Sequence, residues 1–305
     1  MLIKSFIKKH EFLYDTCLAI MYKIRFVRIK YGYINFIKNE FKKNLGYSLD
    51  LKKPETYNEK IQWLKCFYRD PIMTQCADKI AVRKFIKDII GEQYLIPVYG
   101  IFNNVSDMDL NGLPKAFVLK PNHSSGRVIV CYDKNKMDWK TELSKLKRWL
   151  NENYYYQNGE WVYKCITPKI ICEQLLYGEI IDYKFMCFNG IPKLMFTCTE
   201  RKKKLKVTFF DLSFNRLNFI RKYPASDVRI EKPQNWDLMI ELSRKLSSRF
   251  PFVRVDFYEN LGKLYFGELT FFPGNGFEKF YPDHWDKKIG ELLDLDKVNK
   301  KYVKV

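Results

Sequence analysis

The segment from Phe252 to Gly276, FVRVDFYENLGKLYFGELTFFPGNG, constrains this chain most, because its alternation places two carboxylates on one face of a β-hairpin beside a glycine-rich exit. Phe252, Arg254, Asp256 and Tyr258 alternate with Val253, Val255 and Phe257, the period of two that separates strand faces, and ENLGK supplies a turn. A second strand starts at Leu264. Pairing Tyr258 with Leu264 sets Asp256 opposite Phe266 and diagonal to Glu268, roughly 7 Å away on the same face, with Arg254 opposite Glu268. Slipping the register by two keeps both acids on that face. Carboxylates so placed outline a metal site, and the plainer alternative is a half-buried hairpin in which Arg254 and Glu268 pair.

With 305 residues the chain can bury a sizeable core in two domains or subdomains. A hydrophobic fraction of 47% with 17% aromatics excludes a disordered chain. Eight cysteines without a CxxC pair argue for reduced thiols in a cytoplasmic protein and against a zinc ribbon. The net charge of +19 suits anionic partners such as nucleic acid, lipid headgroups, nucleotides or acidic glycans. A Lys-, Ile-, Asn- and Tyr-rich composition of AT-rich coding origin explains the same excess without any partner.

The first forty or so residues are basic and rich in Leu, Ile, Phe and Tyr, but Lys and Arg interrupt every apolar run before the roughly 20 residues of a membrane span. This segment reads as helical and amphipathic. It can lie on an anionic membrane surface, at the inner face of the membrane for a cytoplasmic protein, or pack against the body as amphipathic helices more often do.

Asp78 reads as the cap of a helix DKIAVRKFIKDII, with Lys79 in its first turn. After a loop containing Pro and Asn, AFVLKPNHSSGRVIVCYDK reads as strand, polar turn and strand, with Lys120 ending the first strand and Ser124, Ser125 and Gly126 in the turn. Such a turn can offer backbone N–H groups to a phosphate while Lys supplies charge, and it is also an ordinary hairpin. His123 is a loop residue of open role. KIICEQLL gives a short strand carrying Glu173, and Asn189-Gly190 between apolar runs marks a tight hairpin. On its first arm Asp182, Lys184 and Met186 oppose Tyr183, Phe185 and Cys187, giving one polar and one apolar side. The run ERKKKLK reads as a solvated loop, and a helix from about Trp236 to Phe250 leads into the carboxylate hairpin.

These pieces, in this order, resemble the ATP-grasp superfamily, most closely its TupA-like branch, found among teichuronopeptide and surface-polysaccharide biosynthesis proteins. The resemblance rests on DKxxxR at Asp78 to Arg83, FVLKPNHSSG at Phe117 to Gly126, ICEQLL at Ile171 to Leu176, IDYKF at Ile181 to Phe185, and RVDF with GELTFFPGNGF at Arg254 to Phe277. It implies an α+β ATP-grasp fold in which two α+β subdomains clasp ATP. The expected divisions are a helical N-terminal extension over 1–50, a helical and loop region over 51–115, a first subdomain over 116–175, and a second with the metal site over 176–305.

The resemblance further implies that Lys79 and Lys120 contact ATP phosphates beneath the Ser124 to Gly126 turn. Glu173, Gln174, Leu175 and Leu176 would form the hinge beside the adenine, and Asp182 and Lys184 would meet the nucleotide, Asp182 near the ribose. Asp256 and Glu268 would hold one or two Mg²⁺ ions, with Arg254 stabilising the transferring group. Relatives often carry Asn where this chain has Thr270, whose hydroxyl can still reach a metal or its water. His123, Asn275 and Gly276 would face the acceptor.

The implied activity is an ATP- and Mg-dependent ligase joining an amine or amino acid to the carboxylate of a sugar acid or anionic glycan precursor through an acyl-phosphate, with no nucleic-acid partner. Two alternatives use other chemistry. An ATP-grasp kinase of a glycan hydroxyl would share the site, and a glycosyltransferase would use Asp107-Met108-Asp109 as its metal motif.

Overall fold

The computed structural model describes residues 11–178, 180–200 and 204–304, with side chains from Ile20 onward. Helix α1, Glu11–Leu45, kinks at Gly32, and its second half buries Phe36, Ile37, Phe41 and Leu45 against Leu49, Cys66 and Tyr155. Those positions recur at helical spacing, which makes one face of α1 a core face. The helices Tyr57–Phe67 (α2), Pro71–Ala77 (α3) and Val82–Ile89 (α4) follow. Thr56 and Glu59 form a reciprocal cap at the start of α2.

Helix α4 starts three residues later than the sequence suggests, at Val82 rather than Lys79. Asp78 instead closes α3, its N–H bonded to Thr74 O at 3.2 Å, and its carboxylate accepts from Ile80 N at 2.8 Å and from Asn122 Nδ2 at 3.0 Å. The short Asp side chain stabilises a turn in place of a helical first turn. Lys79 therefore lies in a turn, its N–H donating to Asn122 O at 3.1 Å.

A four-stranded antiparallel sheet has the order β1-β4-β2-β3, with β1 Val98–Phe102, β2 Phe117–Pro121, β3 Ile129–Cys131 and β4 Ile170–Gln174. Strand β1 lies in the stretch read as a loop. It is an edge strand, half-buried and interrupted at Gly100, whose partner β4 is distant in sequence. Phe117, Leu119, Cys131, Ile170 and Cys172 bury one face against helix α5, Trp139–Leu150, which the short helix α6, Tyr155–Asn158, follows. By the strand alternation, Val118, Lys120, Ile171 and Glu173 take the other face.

A five-stranded antiparallel sheet has the order β10-β9-β5-β6-β7, built from β5 Ile181–Phe188, β6 Ile191–Thr199, β7 Lys206–Asp211, β9 Phe252–Asn260 and β10 Lys263–Thr270, the short strand β8, Ile220–Arg221, lying outside it. Asn189 and Gly190 both have positive φ, 47° and 81°, as the β5–β6 hairpin turn demands. Of the basic run, residues 201–203 lie outside the described residues. Helix α7, Trp236–Ser247, packs on the Tyr183–Phe185 face, the Trp236 and Phe185 rings 5.3 Å apart. It ends before Phe250, which is buried in the core.

The opposite face is divided. Phe188 and Phe252, at one end, pack edge-on against Tyr57 of α2, with centroids 6.3 and 5.4 Å away. The other end carries Asp182, Lys184, Arg254, Asp256 and Glu268. This polar side is buried rather than solvated, Asp182 being 4% and Lys184 8% exposed.

Candidate functional site

The β9–β10 hairpin brings its two acids closer than simple alternation predicts. Tyr258 pairs with Tyr265, one residue off the expected register, and a bulge at Gly267 adds a second step, so that Asp256 lies directly opposite Glu268 and Arg254 opposite Thr270. One step alone would have turned Glu268 to the far face, and the bulge restores it. A Cβ there would be crowded, standing 3.1 Å from Asp256 O and from Tyr258 Cε2 and 3.3 Å from Asp256 Cβ.

Arg254 joins the two carboxylates. Its Nε and Nη2 donate to Asp256 Oδ1 and Oδ2, both at 2.7 Å, and Nη2 also reaches Glu268 Oε1 at 2.5 Å. Lys184 Nζ donates to Asp256 Oδ2 and lies 3.6 Å from Asp182 Oδ2, while Thr270 Oγ1 donates to Glu268 Oε1 at 2.7 Å. Asp256 is fully buried, whereas the Glu268 side chain keeps 36% of its surface. Burial pushes the Glu268 carboxyl up, but Arg254, Lys184 and Lys79 outweigh it and hold it at about 2.

The small sheet contributes the cationic side. Lys120 Nζ donates to Glu173 Oε2 at 2.6 Å, and Arg83 stands 3.8 Å from Glu173 Oε1. Lys79 Nζ donates to Ser124 O. Burial lowers Lys79 to about 8, with Glu268 and Glu173 opposing and Lys120 assisting. Lys79 thus feels the charges of both sheets. Ser124 is buried while Ser125 and Gly126 are exposed, and Gly126 turns with φ of 73°. His123 does not open toward solvent. Its Nε2 lies 3.0 Å from Glu152 O and 3.2 Å from Trp149 O, its Nδ1 3.3 Å from Asn122 Oδ1, and burial lowers its pKa. It ties the turn to the end of α5.

Glu173 and Gln174 end β4, and Leu175, buried, and Leu176, half-buried, lead toward β5. The Pro273–Gly276 turn is held from α2. Lys65 Nζ donates to Asn275 O at 2.8 Å and sits 4.3 Å from the Phe277 ring, and Gln62 Nε2 reaches Asn275 O and Gly276 O, each at 2.7 Å. Gly276 turns with a φ of 65°, the left-handed region that favours glycine, and a Cβ there would press on Ile61 Cγ2 at 2.9 Å and on the Gln62 amide.

Sequence reasoning missed Gln62, Lys65 and Glu160. Lys65 is wholly buried, and Glu160 is buried within reach of the charges of Lys65, Glu268 and Arg254. Burial lowers the Lys65 pKa and raises that of Glu160. A Lys on an amphipathic helix carries no signal of burial, so nothing in the spacing marks it. Asp107 and Asp109 serve turns, accepting from Asn104 N at 2.9 Å and from Asn111 N at 3.0 Å. A cavity of about 590 Å³, lined by Ile181, Tyr183, Thr199 and Glu259 among others, opens on the α7 side of the sheet, away from the carboxylates.

The donor set fits Mg²⁺. Asp256, Glu268 and Thr270 offer only hard oxygens, and Mg²⁺ in nucleotide sites takes one or two carboxylates, completing its shell with phosphate and water. No group of three or more His, Cys, Asp or Glu side chains suited to a metal occurs among the described residues.

The family described as TupA-like ATPgrasp matches residues 59–294. No curated protein matches the chain. Among solved structures, a D-alanine–D-alanine ligase from Bacillus anthracis complexed with ATP is 18% identical at a TM-score of 0.39, covering 64% of this chain and 54% of that one. An L-amino acid ligase from Bacillus licheniformis is 13% identical at 0.41, over 72% and 48%. The ATP-grasp ligase PsnB, complexed with minimal precursor, Mg and ADP, is 11% identical at 0.38, over 67% and 53%. The chain spans about half the length of these structures. Since the family match takes in the Lys79 turn, both sheets and the whole carboxylate hairpin, the chain belongs to the TupA-like ATP-grasp family.

Proposed function

We propose that this chain is an ATP- and Mg²⁺-dependent carboxylate–amine ligase that joins an amine or amino acid to a sugar-acid carboxylate in surface-polysaccharide synthesis. One arrangement carries the reading: Lys79, from the turn between α3 and α4, donates its Nζ to Ser124 O in the turn of the small sheet that also presents Lys120, and the nearby charges of Glu173 and of Glu268 on the large sheet oppose the lowering of its pKa by burial. A group placed so can meet a polyphosphate that spans the two sheets.

The residues divide the work. Lys79 and Lys120 neutralise phosphate oxygens, and Arg254 lends its guanidinium beside the transferring phosphoryl group. Glu268 and Asp256, with Thr270 beside them, would hold Mg²⁺, which would supply neutralising charge to the phosphate oxygens. A carboxylate oxygen of the sugar acid attacks the γ-phosphorus, the bond to the bridging oxygen breaks and ADP leaves. The amine nitrogen then attacks the acyl carbon, phosphate departs with the bonding pair, and the amine loses a proton. The Lys65- and Gln62-braced turn at Asn275 and Gly276 is the element beside the carboxylates that meets the acceptor.

Hydroxylamine tests this directly. With ATP, Mg²⁺ and a uronic acid but no amine, the enzyme should release ADP and yield a hydroxamate. A phosphorylated sugar without hydroxamate would make it a kinase, and consumption of a nucleotide sugar without ATP would make it a glycosyltransferase.

The lowered Lys79 gives a second expectation. At pH 8 about half of an amine with that pKa is neutral, and anionic phosphates favour its charged form, so ATP binding should take up a proton. Calorimetry at pH 8 in buffers of different ionisation enthalpy should show the uptake, and Lys79→Met should abolish it. Equal heats in both buffers for the wild type would remove Lys79 from the phosphate site.

A further inference from the structure

The geometry points to a membrane-docking stripe on α1, made of Ile20, Ile24, Val27 and Tyr31 and directed at an anionic lipid surface. These residues are 53%, 49%, 53% and 75% exposed. Their spacing of four, three and four residues aligns them along one face of the helix. Lys23 and Lys30 flank the stripe on one side and Arg28 on the other, all exposed, and residues 20–31 contain no acid.

The stripe is not the face by which α1 joins the protein. That face points the other way. Ile29 is buried, the Phe26 ring lies 4.4 Å from that of Tyr156, Tyr22 Oη accepts from Asn153 N at 3.2 Å, and Arg25 Nη1 donates to Gln157 O at 3.1 Å. At the Gly32 kink the stripe stops, and the exposed positions of α1 beyond it, Asn35, Lys38, Asn39, Lys42, Lys43 and Asn44, are polar or basic. Apolar side chains between cations match the acyl boundary and headgroup layer of an anionic bilayer. A second copy of the chain would set Lys23, Lys30 and Arg28 against their own kind, which like-charge repulsion opposes. Among the described residues no helix is long and apolar enough to cross a membrane, so the contact is interfacial.

Sedimentation of the full chain with lipid vesicles tests the assignment independently of the nucleotide chemistry. The protein should pellet with vesicles of equal parts phosphatidylcholine and phosphatidylglycerol, remain in solution with phosphatidylcholine alone, and dissociate as salt is raised. The double variant Ile24→Glu/Val27→Glu should lose partitioning by about 10-fold or more, and Lys23→Glu/Lys30→Glu should weaken it as well. ATP binding should be unchanged in both, which separates this result from the fate of the ligase reading. Equal sedimentation of wild type and Ile24→Glu/Val27→Glu would overturn the proposal. So would a wild-type dimer that the apolar double variant dissolves and that has no affinity for vesicles.

Discussion

Asp256→Asn is expected to remove metal-dependent turnover and to destabilise the fold. The carboxylate is fully buried and bonded to Lys184 and to two nitrogens of Arg254. Asparagine keeps the shape but withdraws the negative charge, leaving two buried cations to share Glu268 and Asp182. Breaking a buried pair by removing one partner costs on the order of 3 kcal/mol. A domain stable by about 5–15 kcal/mol survives that loss with a lowered denaturation midpoint. On the proposed function turnover should drop by at least about 10²-fold, because Asp256 would supply a preorganised charge to the phosphate and metal site.

The two effects can be separated. Asp256→Asn/Lys184→Met also removes the stranded ammonium, so urea denaturation should show part of the stability restored, while activity should stay absent. If Asp256→Asn melted like the wild type and turned over normally, the carboxylate would have neither role.

The alternation of Phe252 to Tyr258 made the strand and its polar face legible from the residues alone, and Gly267 held the key to the register. An isolated glycine inside a strand pattern signals a bulge, and that bulge converts the expected diagonal acids into directly opposed ones. Asp78 was legible as a capping residue but not as the end of α3, since an Asp can close one helix as readily as open the next. The burial of Asp182 and Lys184 depends on layers that meet only in the folded chain, and periodicity within β5 is blind to them. Lys65 shows the same limit, because its burial comes from the Asn275 turn far along the chain.

Glu268→Gln tests whether this carboxylate is a metal ligand or a general base. Held at about 2, below the roughly 4.3 of an unfolded Glu, it is ionised throughout the neutral range. Its folded value is depressed, so its contribution to stability is present above the unfolded value and is lost as pH falls from about 4 toward about 2. A group ionised so firmly cannot shape a rate profile near pH 7. As a ligand, its replacement should raise the Mg²⁺ concentration for half-maximal rate and lower the rate by about 10²-fold or more, with the pH profile unchanged in form. Arg254 keeps both bonds to Asp256 in the variant, so the melting temperature should shift less than for Asp256→Asn. A normal Mg²⁺ dependence, combined with loss of the acid limb of the pH profile, would make Glu268 the base and leave Asp256 and Thr270 to hold the ion.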